Sequence, residues 1–132
     1  MSGGRNSGLA LRFALVGAIG FCVDAGLLAV GVRFGLWPAA ARAISLTTAL
    51  HVTFVLNGRF VFGALRRSAL GRQWTSYMAA NAAGAGCNYL VFLGLTSSGW
   101  PLASEPHVGF VAAAVAAMAV NFTGSRFVAF RT

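Results

Sequence analysis

Asp24 is the first residue that suggests chemistry, because it is one of only two acidic residues in a chain of 132. It lies inside the apolar stretch GAIGFCVDAGLLAVG, residues 17–31. A carboxylate in an apolar environment is costly to keep charged, so it needs a polar partner or a function that requires it. We expect Asp24 to face a polar side chain of another helix, with these candidates: His51, Thr47, Asn88 and Asn121.

Arginine is the second residue type that suggests chemistry, because it supplies all ten basic residues of the chain. A guanidinium group is planar and binds phosphate through two parallel hydrogen bonds. Arg12, Arg59 and Arg126 stand at the ends of apolar stretches. Arginines at such positions also extend towards lipid headgroups without binding a specific ligand. The sequence leaves both interpretations open for these three residues.

The composition indicates that lipid surrounds the elements that carry these residues. Hydrophobic residues make up 58% of the chain, charged residues only 9%, and the mean hydropathy is +0.75. Soluble domains contain about 25% charged residues, and a surface this apolar would aggregate in water. We therefore predict an all-α membrane protein with one domain, residues 1–132. Its four transmembrane helices are predicted at about residues 13–32, 41–62, 74–96 and 107–127.

The distribution of arginine predicts how the chain is oriented. Eight arginines lie before the first span, at the end of the second span or in the loop to the third, or at the end of the fourth, whereas only Arg33 and Arg42 lie on the other side. The positive-inside rule therefore places both termini and the middle loop in the cytoplasm. Topology explains the net charge of +8 without nucleic acid as a partner. Glu105 falls in an outer loop, where we expect it to be solvated.

The two halves of the chain resemble each other. Gly17, Gly20 and Asp24 match Asn81, Gly84 and Asn88, each 64 positions later. The segment TFVLNGRFVF (53–62) matches NFTGSRFVAF (121–130), 68 positions later. Each half is therefore predicted to be a helical hairpin, and two spans per hairpin make this a parallel repeat. Chance similarity is the alternative, because a biased composition inflates short matches.

Four features along the chain resemble the GtrA-like family. They are an R-F-x-x-V-G start (12–17), the acidic residue Asp24, an N-x-R-x-x-F ending of the second span (57–62) and an N-F-x-x-x-R-x-x-x-F ending of the fourth (121–130). The resemblance covers about residues 9–131. The second half departs from the first, since Asn88 stands at the counterpart of Asp24, and this puts a symmetric two-site mechanism in doubt.

This resemblance implies a multi-pass protein of the bacterial cytoplasmic (inner) membrane with a role in cell-envelope polysaccharide synthesis. Family members are proposed to flip polyprenyl phosphate, or a polyprenyl-phosphate-linked sugar, across that membrane. On this basis we expect three arginines to bind the lipid phosphate: Arg12, Arg59 and Arg126. We expect a polar path through the membrane to be lined by Asp24, His51, Asn57, Asn81, Asn88 and Asn121.

Two other functions stay open at this stage. The chain could be a membrane anchor that recruits a polyprenyl-phosphate glycosyltransferase, or, with less support, a small cation or drug exporter. The residue pattern contains no catalytic set and no metal-ligand spacing, so we predict a protein without enzymatic activity, cofactor or metal. Four short helices enclose little volume for a headgroup. We therefore expect a homo-oligomer among the membrane lipids, most simply a dimer.

Overall fold

The computed structural model describes residues 2–104 and 106–131, so the expectation for Glu105 lies outside the described residues. Every regular element in these ranges is helical. The main helices are α1 (Ser2–Arg33), α2 (Pro38–Leu56), α3 (Leu70–Thr96) and α4 (Pro106–Gly124). Four helices are long and apolar enough to cross a membrane. The prediction of an all-α membrane protein with four spanning helices is confirmed.

Helix α1 is longer than a membrane span requires. It contains 32 residues, which corresponds to about 48 Å at ~1.5 Å per residue. The hydrocarbon core is about 30 Å thick. Since the helix begins at Ser2, its first three turns precede the predicted span and carry Arg5 and Arg12. These turns therefore extend α1 beyond the hydrocarbon.

A short turn connects α1 to α2 in the first half of the chain. Gly35 has φ +87°, a left-handed conformation that glycine adopts without steric cost. Pro38 then begins α2, where its missing N–H is not needed and its fixed φ favours the helix. This turn returns the chain antiparallel to α1, so that the two helices can pack along their length.

The chain divides into two compact units, Met1–Leu65 and Arg66–Thr132, which we call the N-terminal and C-terminal hairpins. In the N-terminal hairpin α1 packs against α2, and in the C-terminal hairpin α3 packs against α4. Each half thus forms its own pair of antiparallel helices, as the internal repeat predicts.

Matching contacts within the two hairpins confirm the repeat. The rings of Phe13 and Phe62 lie 6.2 Å apart between their centroids, at an interplanar angle of 52°. Tyr77 and Phe130, their counterparts at offsets of 64 and 68, lie 6.0 Å apart at 53°. Offset pairs of this kind are favourable aromatic contacts. Each hairpin therefore has an aromatic ring contact at the equivalent position.

A π-helical turn ends the second helix of each hairpin. These turns are Asn57–Val61 and Ser125–Ala129, again 68 positions apart. In each turn a backbone N–H bonds the carbonyl five residues earlier, from Phe62 to Asn57 and from Phe130 to Ser125, both at 2.9 Å. Turns of this type are rare in proteins, and those that occur often lie at functional sites.

Glycines let the helices of each hairpin approach closely. A Cβ atom at Gly20 would collide with the methyl group of Thr53, and one at Gly84 would collide with the side chain of Asn121. The two contacts are equivalent in the repeat. Small residues at helix contacts are the usual means of close packing in membranes. The glycines shared by the two halves therefore serve helix packing.

The substitution Gly124→Ala tests this packing directly. A Cβ at Gly124 would lie 2.6 Å from the Cβ of Ala80, which is fixed to its backbone, so the helices must separate. We expect a loss of about 1–3 kcal/mol, the usual cost of overpacking. The measurement is the thermal midpoint of the purified protein in detergent.

Gly86→Ala is the matched control, because a Cβ at Gly86 would meet nothing within 4 Å. Alanine also favours a helix over glycine, so the control should melt at the same temperature or slightly higher. Equal midpoints for Gly124→Ala and Gly86→Ala would contradict the packing described here.

Candidate functional site

Asp24 lies in a cluster of three polar residues within the N-terminal hairpin. Its Oδ2 accepts a hydrogen bond from Nη1 of Arg42 at 2.6 Å, and the two side chains form an ion pair. Its Oδ1 accepts a hydrogen bond from Oγ of Ser45 at 2.7 Å. We call this the Asp24–Arg42–Ser45 cluster. Both carboxylate oxygens are therefore held in place by residues of the first turns of α2.

The packing of α2 against α1 places the cluster. Ala41, Ser45 and Ala49 recur every four residues and are all buried, so they form the face of α2 that meets α1. Gly31 of α1 lies against Ala41, where an added Cβ would be 3.1 Å away. Arg42 is next to this face, and therefore its side chain is half-exposed while it reaches Asp24.

The prediction that Asp24 faces Thr47 or His51 of this hairpin was wrong. Thr47 and His51 are exposed on α2, and the Nδ1 of His51 lies 2.7 Å from the backbone oxygen of Thr47, one turn earlier in the same helix. Ser45 is buried on the helix contact and Arg42 extends its charge to the carboxylate. Asp24 therefore binds a cation and a hydroxyl group, not the imidazole.

The ion pair is asymmetric in its exposure. The side chain of Arg42 is 52% exposed and that of Asp24 is 15% exposed. A single carboxylate in a membrane helix is costly, and an arginine partner cancels its charge. Arg42 has further N–H groups beyond the one that bonds Asp24, and no partner for them is found among the described residues. The pair has no net charge, and Arg42 still has N–H donors that do not bond the carboxylate.

Arg12 and Arg59 lie at the same end of the N-terminal hairpin. Arg12 precedes Phe13, Arg59 is three residues before Phe62, and those two rings are in contact. Both arginines are exposed. The guanidinium carbon of Arg59 lies 5.8 Å from the centroid of the Phe60 ring, within the range of a cation–π contact. The structure thus places two of the three predicted phosphate ligands at one end of one hairpin, and that they bind the same phosphate stays a prediction.

Arg126 occupies the corresponding end of the C-terminal hairpin. It lies in the second π turn, with its guanidinium carbon 5.0 Å from the centroid of the Phe127 ring. Its neighbour Ser125 is fully buried, and the Oγ of Ser125 has no hydrogen-bond partner among the described residues. That all three arginines bind one phosphate stays a prediction.

The predicted polar path includes side chains with quite different surroundings. Asn57 is buried at the start of the first π turn. Asn81 donates from Nδ2 to the backbone oxygen of Tyr77 at 2.8 Å, in its own helix. Asn121 packs against Gly84, and Asn88 is half-buried. His51 is exposed. Asn81 and Asn121 therefore already have structural contacts within the C-terminal hairpin.

The repeat shows that a hairpin of this family can form without the cluster. The counterparts of Asp24, Arg42 and Ser45 are Asn88, Phe110 and Ala113. Ala113 is buried like Ser45, at 1% and 0% exposure. The position thus needs a small side chain for packing but not a hydroxyl group. The C-terminal hairpin keeps the ring contact, the glycine contact and the π turn.

Sequence comparison assigns the family. Residues 12–130 match the GtrA/DPMS transmembrane domain. The chain belongs to the GtrA/DPMS transmembrane family. This confirms the resemblance drawn from the residue pattern and indicates a multi-pass membrane protein involved in handling lipid-linked sugars. A comparison with curated proteins gave no match. Among the described residues of this GtrA/DPMS domain, no group of three His, Cys, Asp or Glu side chains could hold a metal ion.

Arg42 is the residue that sequence reasoning missed. It was assigned only to topology, as one of the two arginines outside the cytoplasmic set. The signal that could have found it is the short turn between α1 and α2, because residues just after such a turn lie beside residues just before it. Sequence spacing predicts which helical turns of α1 and α2 are neighbours, but not the direction in which a long side chain such as that of Arg42 extends.

A double-mutant cycle on Asp24 and Arg42 tests the ion pair. Arg42→Ala leaves a mostly buried carboxylate without its cation, whereas Asp24→Asn removes the charge. We expect Arg42→Ala to cost more stability in the wild type than in the Asp24→Asn background. The difference should fall between the ~0.5 kcal/mol of an exposed pair and the ~3–5 kcal/mol of breaking a buried one.

The measurement is chemical or thermal unfolding in detergent of the four proteins of the cycle. Independent sites give additive losses. Additive losses for Asp24→Asn and Arg42→Ala would therefore show that the two side chains do not interact, contrary to the structure.

Proposed function

We propose that this GtrA/DPMS protein binds polyprenyl phosphate, or a polyprenyl-phosphate sugar, and flips it across the bacterial cytoplasmic membrane for cell-envelope polysaccharide synthesis. The observation that carries the proposal is the placement of Arg12 and Arg59, both exposed, at one end of one hairpin. Membership of the family supports the class of ligand. The chain itself acts without catalysing a bond change.

The physical basis is the chemistry of the headgroup. A lipid phosphate keeps its polyprenyl chain in the hydrocarbon, so the protein has to handle only the charged group. Guanidinium groups bind phosphate with charge-assisted, bidentate hydrogen bonds. Basic residues just outside the hydrocarbon also attract anionic headgroups by ~1 kcal/mol each. Arg12 and Arg59 supply both effects at one position of the membrane surface.

The same proposal puts the Arg12 and Arg59 end of the N-terminal hairpin in the cytoplasm. The arginine-rich segments of the chain lie before α1, between α2 and α3 and after α4, and the positive-inside rule favours the cytoplasm for all three. A homodimer would supply a larger enclosed surface for the headgroup than one chain.

Native mass spectrometry with added polyprenyl phosphate tests the proposal. We expect saturable binding to the wild type, weakened about tenfold in Arg12→Ala and in Arg59→Ala. This factor corresponds to the loss of one hydrogen bond between charged groups, at the lower end of the ~1.5–3 kcal/mol that such a bond contributes.

Arg67→Ala is the control, because it removes the same charge from an exposed arginine of the 3₁₀ turn Arg67–Ala69, where we expect topology to be its only role. It should bind like the wild type. Binding no stronger than that of phosphatidylglycerol would refute a lipid-carrier site. It would favour instead a membrane anchor that recruits a polyprenyl-phosphate glycosyltransferase.

A further inference from the structure

The Asp24–Arg42–Ser45 cluster lies far from the proposed phosphate ligands of its own hairpin. Arg42 is in the second turn of α2, and Arg59 is in the π turn that ends the same helix. Their separation of 17 positions corresponds to about 25 Å at ~1.5 Å per residue. This distance is most of the thickness of the hydrocarbon core. The cluster is therefore a second, separate set of polar groups near the opposite end of the hairpin.

The cluster is not needed to form a hairpin. The C-terminal hairpin has Asn88, Phe110 and Ala113 at the three positions and still shows the same ring contact and π turn. An ion pair inside a membrane protein costs desolvation energy that an apolar pair of similar size would avoid. A feature that costs energy and that the fold does without points to a ligand.

The charge of the cluster decides which ligand chemistry it fits. Asp24 and Arg42 cancel, so the pair has no net attraction for an anionic phosphate, and any preference it gives has to come from hydrogen bonds. A sugar is neutral and carries hydroxyl groups that both donate and accept hydrogen bonds. The cluster offers both kinds of group side by side, namely carboxylate oxygens and guanidinium N–H groups.

The geometry also leaves these groups available. Each carboxylate oxygen of Asp24 accepts one bond, from Arg42 or from Ser45, and an ionised carboxylate oxygen can accept a second. The Arg42 side chain is 52% exposed, and its remaining N–H groups bond no other described residue. One hydroxyl group can thus donate to Asp24 while its neighbour on the sugar ring accepts from Arg42.

We propose that the Asp24–Arg42–Ser45 cluster binds the hydroxyl groups of a sugar headgroup, and so selects polyprenyl-phosphate sugars over bare polyprenyl phosphate. This inference rests on the proposed function, since it adds a sugar-specific contact to a protein that handles the lipid carrier. Ser45 acts as a positioning residue, because it fixes the carboxylate without being directed at the ligand.

The test compares binding of bare polyprenyl phosphate with that of polyprenyl phosphates carrying glucose, galactose, mannose or arabinose, each measured by native mass spectrometry. We expect the wild type to bind at least one sugar-carrying lipid about tenfold more tightly than the bare lipid. This is the size expected for one hydrogen bond to a charged group. Asp24→Asn should abolish the difference.

Three other variants locate the effect. Ser45→Ala, which matches Ala113 of the other hairpin, should reduce the preference several-fold without harming the fold, and it replaces Asp24→Asn if that variant melts early. Arg33→Ala removes the other arginine near the same end and should keep the preference. Arg59→Ala should weaken binding of the bare lipid more than that of the sugar-carrying lipid, because one headgroup cannot contact both Arg59 and the cluster about 25 Å away.

The outcomes separate the two claims. Equal binding of bare and sugar-carrying lipids by the wild type would overturn the sugar site while leaving the lipid-carrier function in place. Equal weakening of both kinds of lipid by Asp24→Asn would also overturn it. If no polyprenyl lipid binds more tightly than phosphatidylglycerol, the proposed function fails, and the sugar site fails with it.

Discussion

The lack of water in the hydrocarbon core governs this structure. Backbone polar groups must be satisfied within the chain there, which leaves the helix as the element available to a chain of this kind. The same condition applies to side chains. Asp24 is only 15% exposed, and Arg42 and Ser45 supply the hydrogen bonds to its carboxylate. Close helix packing supplies the remaining stability, and it depends on small residues such as Gly20 and Gly84 at the contacts.

The internal repeat distinguishes the features that both hairpins share from those that occur in one hairpin. Both hairpins share the ring contact, the close approach at a glycine and the π turn. These are features of packing. The ion pair belongs to the N-terminal hairpin, where Asp24 replaces an amide and Arg42 replaces an aromatic residue. The two halves therefore resemble each other in structure and differ in chemistry, which fits a single headgroup site better than two equivalent ones.

The elements of the fold could be predicted from the sequence because hydropathy and helix length are properties of whole segments. The repeat was also visible, since Gly84 and Phe130 match Gly20 and Phe62 at fixed offsets. The partner of Asp24 could not be predicted, because it depends on where the side chain of Arg42 extends from the edge of α2. The π turns were missed for a similar reason, since a shift of one hydrogen bond leaves no mark in residue type.

The N-terminal hairpin has Arg12 and Arg59 at one end and the Asp24–Arg42–Ser45 cluster towards the other, and the central proposal is that this protein moves a lipid-linked sugar across the membrane. The most direct test is transbilayer movement of a fluorescent polyprenyl-phosphate sugar in proteoliposomes, followed by quenching with an impermeant reductant. If this chain moves the headgroup, the wild type should make inner-leaflet lipid accessible to the reductant, and Arg59→Ala should do so more slowly. Accessibility equal to that of protein-free vesicles would contradict translocation by this chain.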